Sequence, residues 1–160
     1  RNHQNYYASD LISDILSNGN SSRLHNVLVK EKRLFSNIDA YITGNIDAGL
    51  FVFSGKLVEG VTMEEADNEL QLEIQKLVID KVSETELEKV QNKIESNLEF
   101  SSMTALNKAM NLSYFELLGD AAMINQEERK YRQVTIENIM VTASEIFRPN
   151  NCSTLCYHAG

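Results

Sequence analysis

Residues 34–53 read LFSNIDAYITGNIDAGLFVF, a stretch whose pattern predicts the only paired strands that the middle of the sequence offers. In its first part Ile38, Ala40 and Ile42 alternate with polar or aromatic residues, the period of two that predicts a half-buried strand. A glycine-asparagine pair marks a turn, and the apolar run 50–53 predicts a second strand. We therefore expect an antiparallel hairpin. Because the second strand is apolar on both faces, we expect it to lie centrally in a sheet, with material packed on each side.

Helical periodicity flanks the hairpin on both sides. Ser/Thr-x-x-Glu capping boxes at Thr62 and Ser83 predict two helix starts, and Thr135 caps a later helix. We expect the mostly apolar helix at 104–118 to be buried. Residues 121–132 fit no single element, and Cys152 to His158 predicts a last strand. The predicted helices cover about residues 6–17, 22–33, 63–78, 84–98, 104–118 and 135–147.

Together these elements predict an α+β fold, in which several helices pack a small, antiparallel-rich sheet. The chain has 160 residues, of which 42% are hydrophobic, so we expect one domain spanning 1–160. Three strands make a small sheet for so many helices, and the chain opens directly on a helix. We therefore expect that strands preceding Arg1 have been removed, which would make the chain an N-terminally truncated fragment.

The charge of the chain excludes two classes of partner. Its 23 acidic and 15 basic residues give a net charge of −8, which repels nucleic acid and anionic membranes. No apolar run approaches the length of a membrane span, so a soluble protein is expected. On the predicted last strand Cys152 and Cys156 would be about 13 Å apart, too far for a disulfide. This favours a reducing, cytoplasmic compartment, with both cysteines as small packing groups.

No pattern in the sequence predicts catalysis by this chain alone. A catalytic zinc site needs about three clustered ligands, often two histidines one helical turn apart. His3, His25 and His158 are scattered, and no H-x-x-E-H, H-E-x-x-H or G-x-S-x-G pattern occurs. We therefore predict no metal ligands and no catalytic residues.

Six pieces of sequence go beyond generic periodicity. They include the turn GNSSRL at 19–24 and the segment LVKEK at 28–32, and the others are DLISDIL at 10–16, DAGLF at 47–51, VSETELEK at 82–89 and VTIENI at 134–139. In this order and spacing they resemble the insulinase/pitrilysin-like (inverzincin) zinc metallopeptidases.

The resemblance implies a role within a larger peptidase-like chain. Members of that family are duplicated α+β domains that face each other as a clamshell, and one half carries the H-x-x-E-H zinc motif. This chain resembles the other, non-catalytic C-terminal-type half. The implied function is to form the chamber and hold the peptide substrate, while zinc resides in a catalytic half of the same polypeptide or of a partner subunit. The alternatives are a structural or assembly module derived from the same family, and an unrelated α+β domain.

The resemblance also implies where substrate-side residues would lie. The second half of active members often contributes an arginine and a tyrosine, seven residues apart across the helix-to-strand turn. Here Val29 and Ser36 occupy those positions, and neither replaces the missing groups, because valine donates no hydrogen bond and serine is too short. Lys30 replaces the arginine if the register shifts by one. Arg23 in the turn motif is a third candidate. In the alternative reading, Lys30 offsets the helix dipole and Ser36 starts a strand.

One further expectation concerns association. If strands before Arg1 are missing, the predicted last strand lacks its usual neighbour. A bare strand edge templates pairing. We therefore expect the chain to form a homodimer, or to pair irregularly, through an exposed strand edge.

Overall fold

The fold is α+β, as predicted. The computed structural model describes residues 5–44, 47 and 49–158. The elements in chain order are α1 (Tyr6–Ser17), a π-helix (His25–Glu31), β1 (Phe35–Ile42), β2 (Phe51–Leu57), α2 (Met63–Ile79), α3 (Glu84–Ser101), α4 (Ala105–Leu117), a 3-10 helix (Ala121–Gln126), α5 (Glu127–Arg132), α6 (Ile136–Ile146) and a 3-10 turn (Pro149–Asn151). The histidine at position 3 and the asparagine of the predicted turn lie outside the described residues.

The predicted hairpin is confirmed, but its second strand is not central. β1 and β2 pair antiparallel, with Ile42 opposite Phe51 and Ala40 opposite Phe53. The described residues contain these two strands alone, so β2 has a paired neighbour on one side. The apolar pattern of β2 was misleading because all three residues are half-buried, and Phe51 and Phe53 pack against the core whereas Val52 lies on the opposite face.

A bulge and a close packing contact shape the start of the hairpin. The register shifts between Phe35 and Asn37, which leaves Ser36 as an extra residue in β1. Across from this bulge, a β-carbon added to Gly55 would lie 2.7 Å from the Phe35 ring. Glycine at position 55 therefore leaves room for the Phe35 ring beside β2.

Helix α1 lies at the centre of the helical layer. It contacts β1, α3, α5 and α6. Its buried side chains include Leu11, Ile12 and Leu16, which are fully enclosed. The predicted range of this helix is confirmed, since its side chains repeat at the spacing of one helix face.

The predicted helix caps are largely confirmed. Ser83 forms a complete capping box with Glu86 at the start of α3. Thr62 accepts a hydrogen bond from the Glu65 amide, but the reciprocal bond of a capping box is not among its contacts. Thr135 forms a second capping box, with an asparagine in place of the usual acid. These caps satisfy amides that have no partner within the helix.

The second predicted helix exists, but most of it is wound as a π-helix. The Lys32 amide donates to the Val27 carbonyl, five residues back. The Leu34 amide reaches the Leu28 carbonyl at 2.9 Å. Between them Arg33 has φ of 52°, in the left-handed region that non-glycine residues rarely adopt. The π-helix holds one residue more per turn than sequence periodicity suggests.

The expectation that the 104–118 helix is buried is wrong. Of the residues of α4, all of which the structure describes, only Phe115 is buried. Leu106, Met110 and Leu117 project from the opposite side of the helix, about half a turn away from Phe115, and are largely exposed. The helix packs chiefly against the 3-10 helix at 121–126. The neighbouring elements thus cover only part of the apolar surface of α4.

The predicted strand at Cys152–His158 is also wrong. Cys152 has extended backbone angles, but a strand requires a partner, and neither described strand pairs with this segment. The whole segment is exposed. Both cysteines are therefore free, exposed thiols and not packing groups.

No helix in the described part of the chain combines the length and the apolar character that a membrane span needs.

Candidate functional site

The helix-to-strand turn between the π-helix and β1 carries most of the predicted substrate-side positions. Val29 is half-buried and packs against the core. Lys30 is exposed, and its Nζ donates to the Asn20 carbonyl at 2.6 Å and to Asn26 Oδ1 at 3.2 Å. The lysine thus reaches back towards the turn that precedes its own helix. Its ammonium group therefore stabilises the turn at residue 20, which precedes the π-helix.

Ser36 lies across the turn, in the bulge of β1. Its Oγ donates to the Lys56 carbonyl of β2 at 3.0 Å, and the side chain is exposed. Bulges re-aim side chains and occur beside active sites more often than elsewhere in sheets. Here the Ser36 hydroxyl adds a side-chain hydrogen bond between β1 and β2 at the point where the strand register shifts.

Arg23 binds a partner on α3. Its Nε and one terminal nitrogen donate to the two carboxylate oxygens of Glu86, at 2.9 and 3.0 Å. These hydrogen bonds, together with one from the Ser83 amide, lower the pKa of Glu86 from 4.5 to about 2, although partial burial opposes the shift. Such a bidentate pair fixes geometry as well as charge. It ties the turn before the π-helix to the start of α3.

The three candidate side chains therefore do not form one constellation. Arg23, Lys30 and Ser36 each hold a different partner, and no hydrogen bond joins any two of them. Among the described residues one concave surface lies along α2, and another lies between the starts of α3 and α6. Neither contains a candidate residue.

The outer face of the hairpin lies beside this turn. Paired residues of an antiparallel sheet face the same side. The exposed face therefore carries Asn37 opposite Lys56, Asp39 opposite Ser54, and Tyr41 opposite Val52. All but the valine are exposed. The result is a polar, hydrogen-bonding face beside the turn.

Among the described residues, no three histidine, cysteine, aspartate or glutamate side chains are grouped closely enough to hold a metal ion.

Sequence reasoning missed two residues that organise this region. Glu86 is visible in the sequence as part of a capping box, but nothing there shows that Arg23 binds it across 63 positions. Ser17 ends α1, and its hydroxyl both accepts from the Ala40 amide and donates to the Ala40 carbonyl. A serine at a helix end gives no sign of such a partner.

Comparison with known families now settles the resemblance. Residues 1–94 match the model of the Peptidase M16 inactive domain. The chain belongs to this family. The predicted likeness to the non-catalytic half of an insulinase-like zinc metallopeptidase is thereby confirmed, and the chain is an inactive domain of a zinc protease family. No curated protein sequence gives a significant match.

Solved structures agree with the M16 inactive-domain fold. The inactive peptidase domain of a predicted zinc protease from Bordetella parapertussis matches with a TM-score of 0.85 at 21% identity, over 94% of this chain and 81% of that one. A predicted zinc protease from Bordetella pertussis gives 0.82 at 23%, over 94% and 82%. A protease from Helicobacter pylori gives 0.83 at 20%, over 90% of this chain and 35% of that one. This M16 domain thus spans about a third of the Helicobacter protein.

Proposed function

We propose that this M16 domain forms a chamber wall and holds peptide substrate for a zinc metalloendopeptidase. The zinc lies in a catalytic half, in the same polypeptide or in a partner subunit. The observation that supports this is the exposed polar face of the hairpin beside the helix-to-strand turn. Tyr41, Asn37 and Lys56 offer hydrogen-bonding groups there, while the opposite face packs on the body. A wall suits an extended peptide better than a pocket does.

The substrate-side arginine and tyrosine of active relatives are replaced here. In the insulinase-like segment L-R-E-K-x-G-L-A-Y-S, which residues 28–37 resemble, a glycine follows the arginine by four positions, and Arg33 follows Val29 by four. The left-handed φ of Arg33 suits a glycine position, which supports the register that places Val29 and Ser36 at the two sites. A π-helix inserts one residue relative to an α-helix, and such an insertion can shift the register by one position. In the shifted register Lys30, and not Val29, occupies the arginine position, so both residues are tested.

Restoring the missing groups tests the proposal in the full parent peptidase, assembled with its catalytic half. We expect the Val29→Arg/Ser36→Tyr double variant to raise kcat/KM for peptide cleavage by about tenfold, the worth of one good charge-assisted hydrogen bond. Val141→Arg/Ser144→Tyr introduces the same side chains on the exposed face of α6 and serves as the matched control. Lys30→Arg tests the shifted register.

A folded Val29→Arg/Ser36→Tyr variant with unchanged kcat/KM would remove the substrate-holding role. It would leave the second candidate, a structural or assembly module with no part in catalysis. That candidate is favoured by the pairing of Arg23 with Glu86, which occupies the guanidinium. An H-x-x-E-H motif with a distal glutamate in the sequence before Arg1 supports the peptidase role, and its absence supports the module. Stoichiometric zinc binding by this chain alone contradicts both.

Two further proposals concern self-association and the redox state of the compartment in which the protein resides. We propose that the chain associates with a second copy through an exposed strand edge. We also propose a reducing compartment, because Cys152 and Cys156 are exposed and free. Mass measurement in solution and thiol titration of the protein as isolated from cells test them separately.

A further inference from the structure

The groove between the first turns of α3 and α6 combines an apolar lining with carboxylates. It encloses about 460 Å³, enough for one long side chain and the backbone that carries it. Leu87 is buried and Ile136 is half-buried, and both line the groove. Glu84 and Glu88 of α3 and Glu137 of α6 line it as well, and all three are exposed. The groove therefore offers two kinds of contact to a ligand.

The groove is remote from the place where the described chain begins. The Asn5 side chain donates to Glu145 Oε2 at 2.7 Å, near the last turn of α6. Glu137 lies in the first turn of the same helix, about 12 Å away along its axis. Helix α1 packs on β1 as well as on α3 and α6. Strands that join the sheet before Arg1 would extend the β layer, whereas this groove belongs to the helical layer.

The three carboxylates of the groove have no counter-ion within the part of the chain that the structure describes. The ion pairs there use other glutamates, at positions 69, 73, 86, 95 and 127. No described lysine or arginine lines the groove. Glu84 and Glu137 lie in first turns, where they offset the helix dipole. Glu88 lies beyond the first turn of α3, so the dipole does not account for its position. The groove therefore carries an unbalanced negative charge.

A buried amide oxygen lies at the same groove. Gln91 is only 7% exposed and is one of the lining residues. Its Nε2 donates to the Tyr131 carbonyl at 3.0 Å and to the Val134 carbonyl at 3.2 Å. Because carbonyl oxygens only accept, these bonds fix the amide nitrogen on that side and leave Oε1 facing away from it. Within the described residues this oxygen accepts no hydrogen bond. A buried acceptor without a donor is costly, so Oε1 marks a position for an N–H group of a ligand.

These features together select a cation with an apolar stem. The caps Ser83 and Thr135 each occupy a first-turn amide that could otherwise attract an anion. One metal ion does not suit the groove, since no three carboxylates of the described residues are close enough to share it. An arginine side chain suits it better. Its methylene stem packs on apolar surface, and its planar guanidinium has five N–H donors that reach separate acceptors. The guanidinium is also more weakly hydrated than an ammonium group.

We propose that the groove between α3 and α6 is a docking site for an arginine side chain of a partner protein segment. The guanidinium donates to Gln91 Oε1 and to the carboxylates of Glu88 and Glu137, and the stem lies on Leu87 and Ile136. The net charge of −8 also draws a basic partner towards the domain. This site is separate from the polar face of the hairpin. It therefore does not rest on the proposed substrate-holding role.

Matched peptides test the chemistry of the ligand. A capped tripeptide with arginine between two alanines is titrated into the full parent chain, and NMR follows the methyl groups of Leu87 and Ile136 and the side-chain amide of Gln91. We expect all three signals to shift and to saturate together. Citrulline keeps the shape of arginine but replaces the guanidinium by a neutral urea group. The citrulline peptide should bind at least about tenfold more weakly, because it loses the charge-assisted hydrogen bonds.

Substitutions of exposed carboxylates locate the site. Glu88→Gln/Glu137→Gln preserves size and removes two charges, and should weaken the arginine peptide about fivefold. Glu64→Gln/Glu65→Gln makes the same change in the concave surface along α2, which has no apolar residue among its described lining. This control should leave the affinity unchanged. All four side chains are exposed, so neither variant should disturb folding.

Several outcomes would overturn the docking site. They are equal binding of the citrulline peptide, an equal loss of affinity in the α2 control, shifts that miss Gln91, and no saturable shift at millimolar peptide. Signals of Leu87 and Gln91 that move with protein concentration alone would identify a second copy as the occupant and would also overturn it. Peptide cleavage by the parent enzyme is a separate measurement. Failure of the docking site therefore leaves the proposed substrate-holding role untouched.

Discussion

Helices α1 and α4 carry similar apolar patterns but occupy opposite environments. In α1 the apolar face meets the sheet and three other helices, and Leu11 is fully enclosed. In α4 the body covers Phe115, while Leu106 on the far side stays 69% exposed. The comparison shows that periodicity predicts which side chains share a face of a helix. It does not predict whether another element covers that face.

The largest expected effect tests this contrast directly. Leu11→Ala removes a fully buried side chain from the centre of the core and should lower the free energy of unfolding by about 3 kcal/mol. Leu106→Ala makes the same change in α4 and should alter it by less than about 0.5 kcal/mol. Urea unfolding of the two variants measures both values. A comparable loss for Leu106→Ala would mean that a partner covers α4 in solution.

Gly55→Ala tests the same difference between covered and uncovered positions at two glycines. The new methyl group would lie 2.7 Å from the Phe35 ring, so we expect a loss of about 2 kcal/mol from overpacking. Gly119→Ala, at the end of α4, meets no atom within 4 Å but has φ of 127°. It should cost about 1 kcal/mol, through the backbone alone.

A double-mutant cycle separates the two causes. In a Phe35→Leu background the ring is gone, so Gly55→Ala should lose most of its cost, whereas the cost of Gly119→Ala should stay the same. An unchanged cost for Gly55→Ala in that background would show that the glycine serves the backbone of β2 and not the ring.

Local elements were predicted well because they depend on local residues. The range of α1 follows from its four-residue repeat, and the starts of α3 and α6 follow from Ser83 and Thr135. The hairpin follows from alternation in β1. The family resemblance also came from ordered local pieces. In each of these cases the physics lies within a few residues of sequence.

The errors all concern partners that are distant in sequence. The strand predicted at Cys152–His158 has the right composition but no neighbour to pair with, and the apolar α4 has too little of the body against it. At the candidate site, the pairing of Arg23 with Glu86 and the closure of Ala40 by Ser17 join residues 63 and 23 positions apart. No spacing in the sequence encodes such contacts.

The ion pair between the turn and α3 gives a pH dependence with a defined sign. The pKa of Glu86 is lowered from 4.5 to about 2, chiefly by Arg23. A carboxylate with a depressed pKa stabilises the fold fully above its unfolded value, and the stabilisation is lost as the pH falls through the folded value. We therefore expect stability to decline between about pH 4.5 and pH 2. Because 37% of the Glu86 side chain is exposed, solvent screening limits the effect to about 1 kcal/mol.

Glu86→Gln isolates this effect. Glutamine can still complete the capping box with Ser83, but it removes the charge that Arg23 binds. The unfolding free energy of the variant, measured by urea titration at several pH values, should fall less steeply over this window than that of the natural chain. An equally steep fall in Glu86→Gln would assign the acid sensitivity to other carboxylates.

The smallest expected effect concerns the one left-handed residue among the non-glycine positions that the structure describes. Arg33 has φ of 52° between the π-helix and β1, a conformation that costs a residue with a β-carbon about 1 kcal/mol. Arg33→Gly removes this strain but adds freedom to the unfolded chain, so we expect a gain below about 1 kcal/mol and a rise in Tm of about 1–3 °C. Lys32→Gly, one residue earlier at φ of −83°, is the control and should lower Tm. A loss of stability in Arg33→Gly would show that the arginine side chain stabilises the turn. It would also weaken the register that sets Val29 and Ser36 at the substrate-side positions, since that register puts a glycine of the family pattern at residue 33.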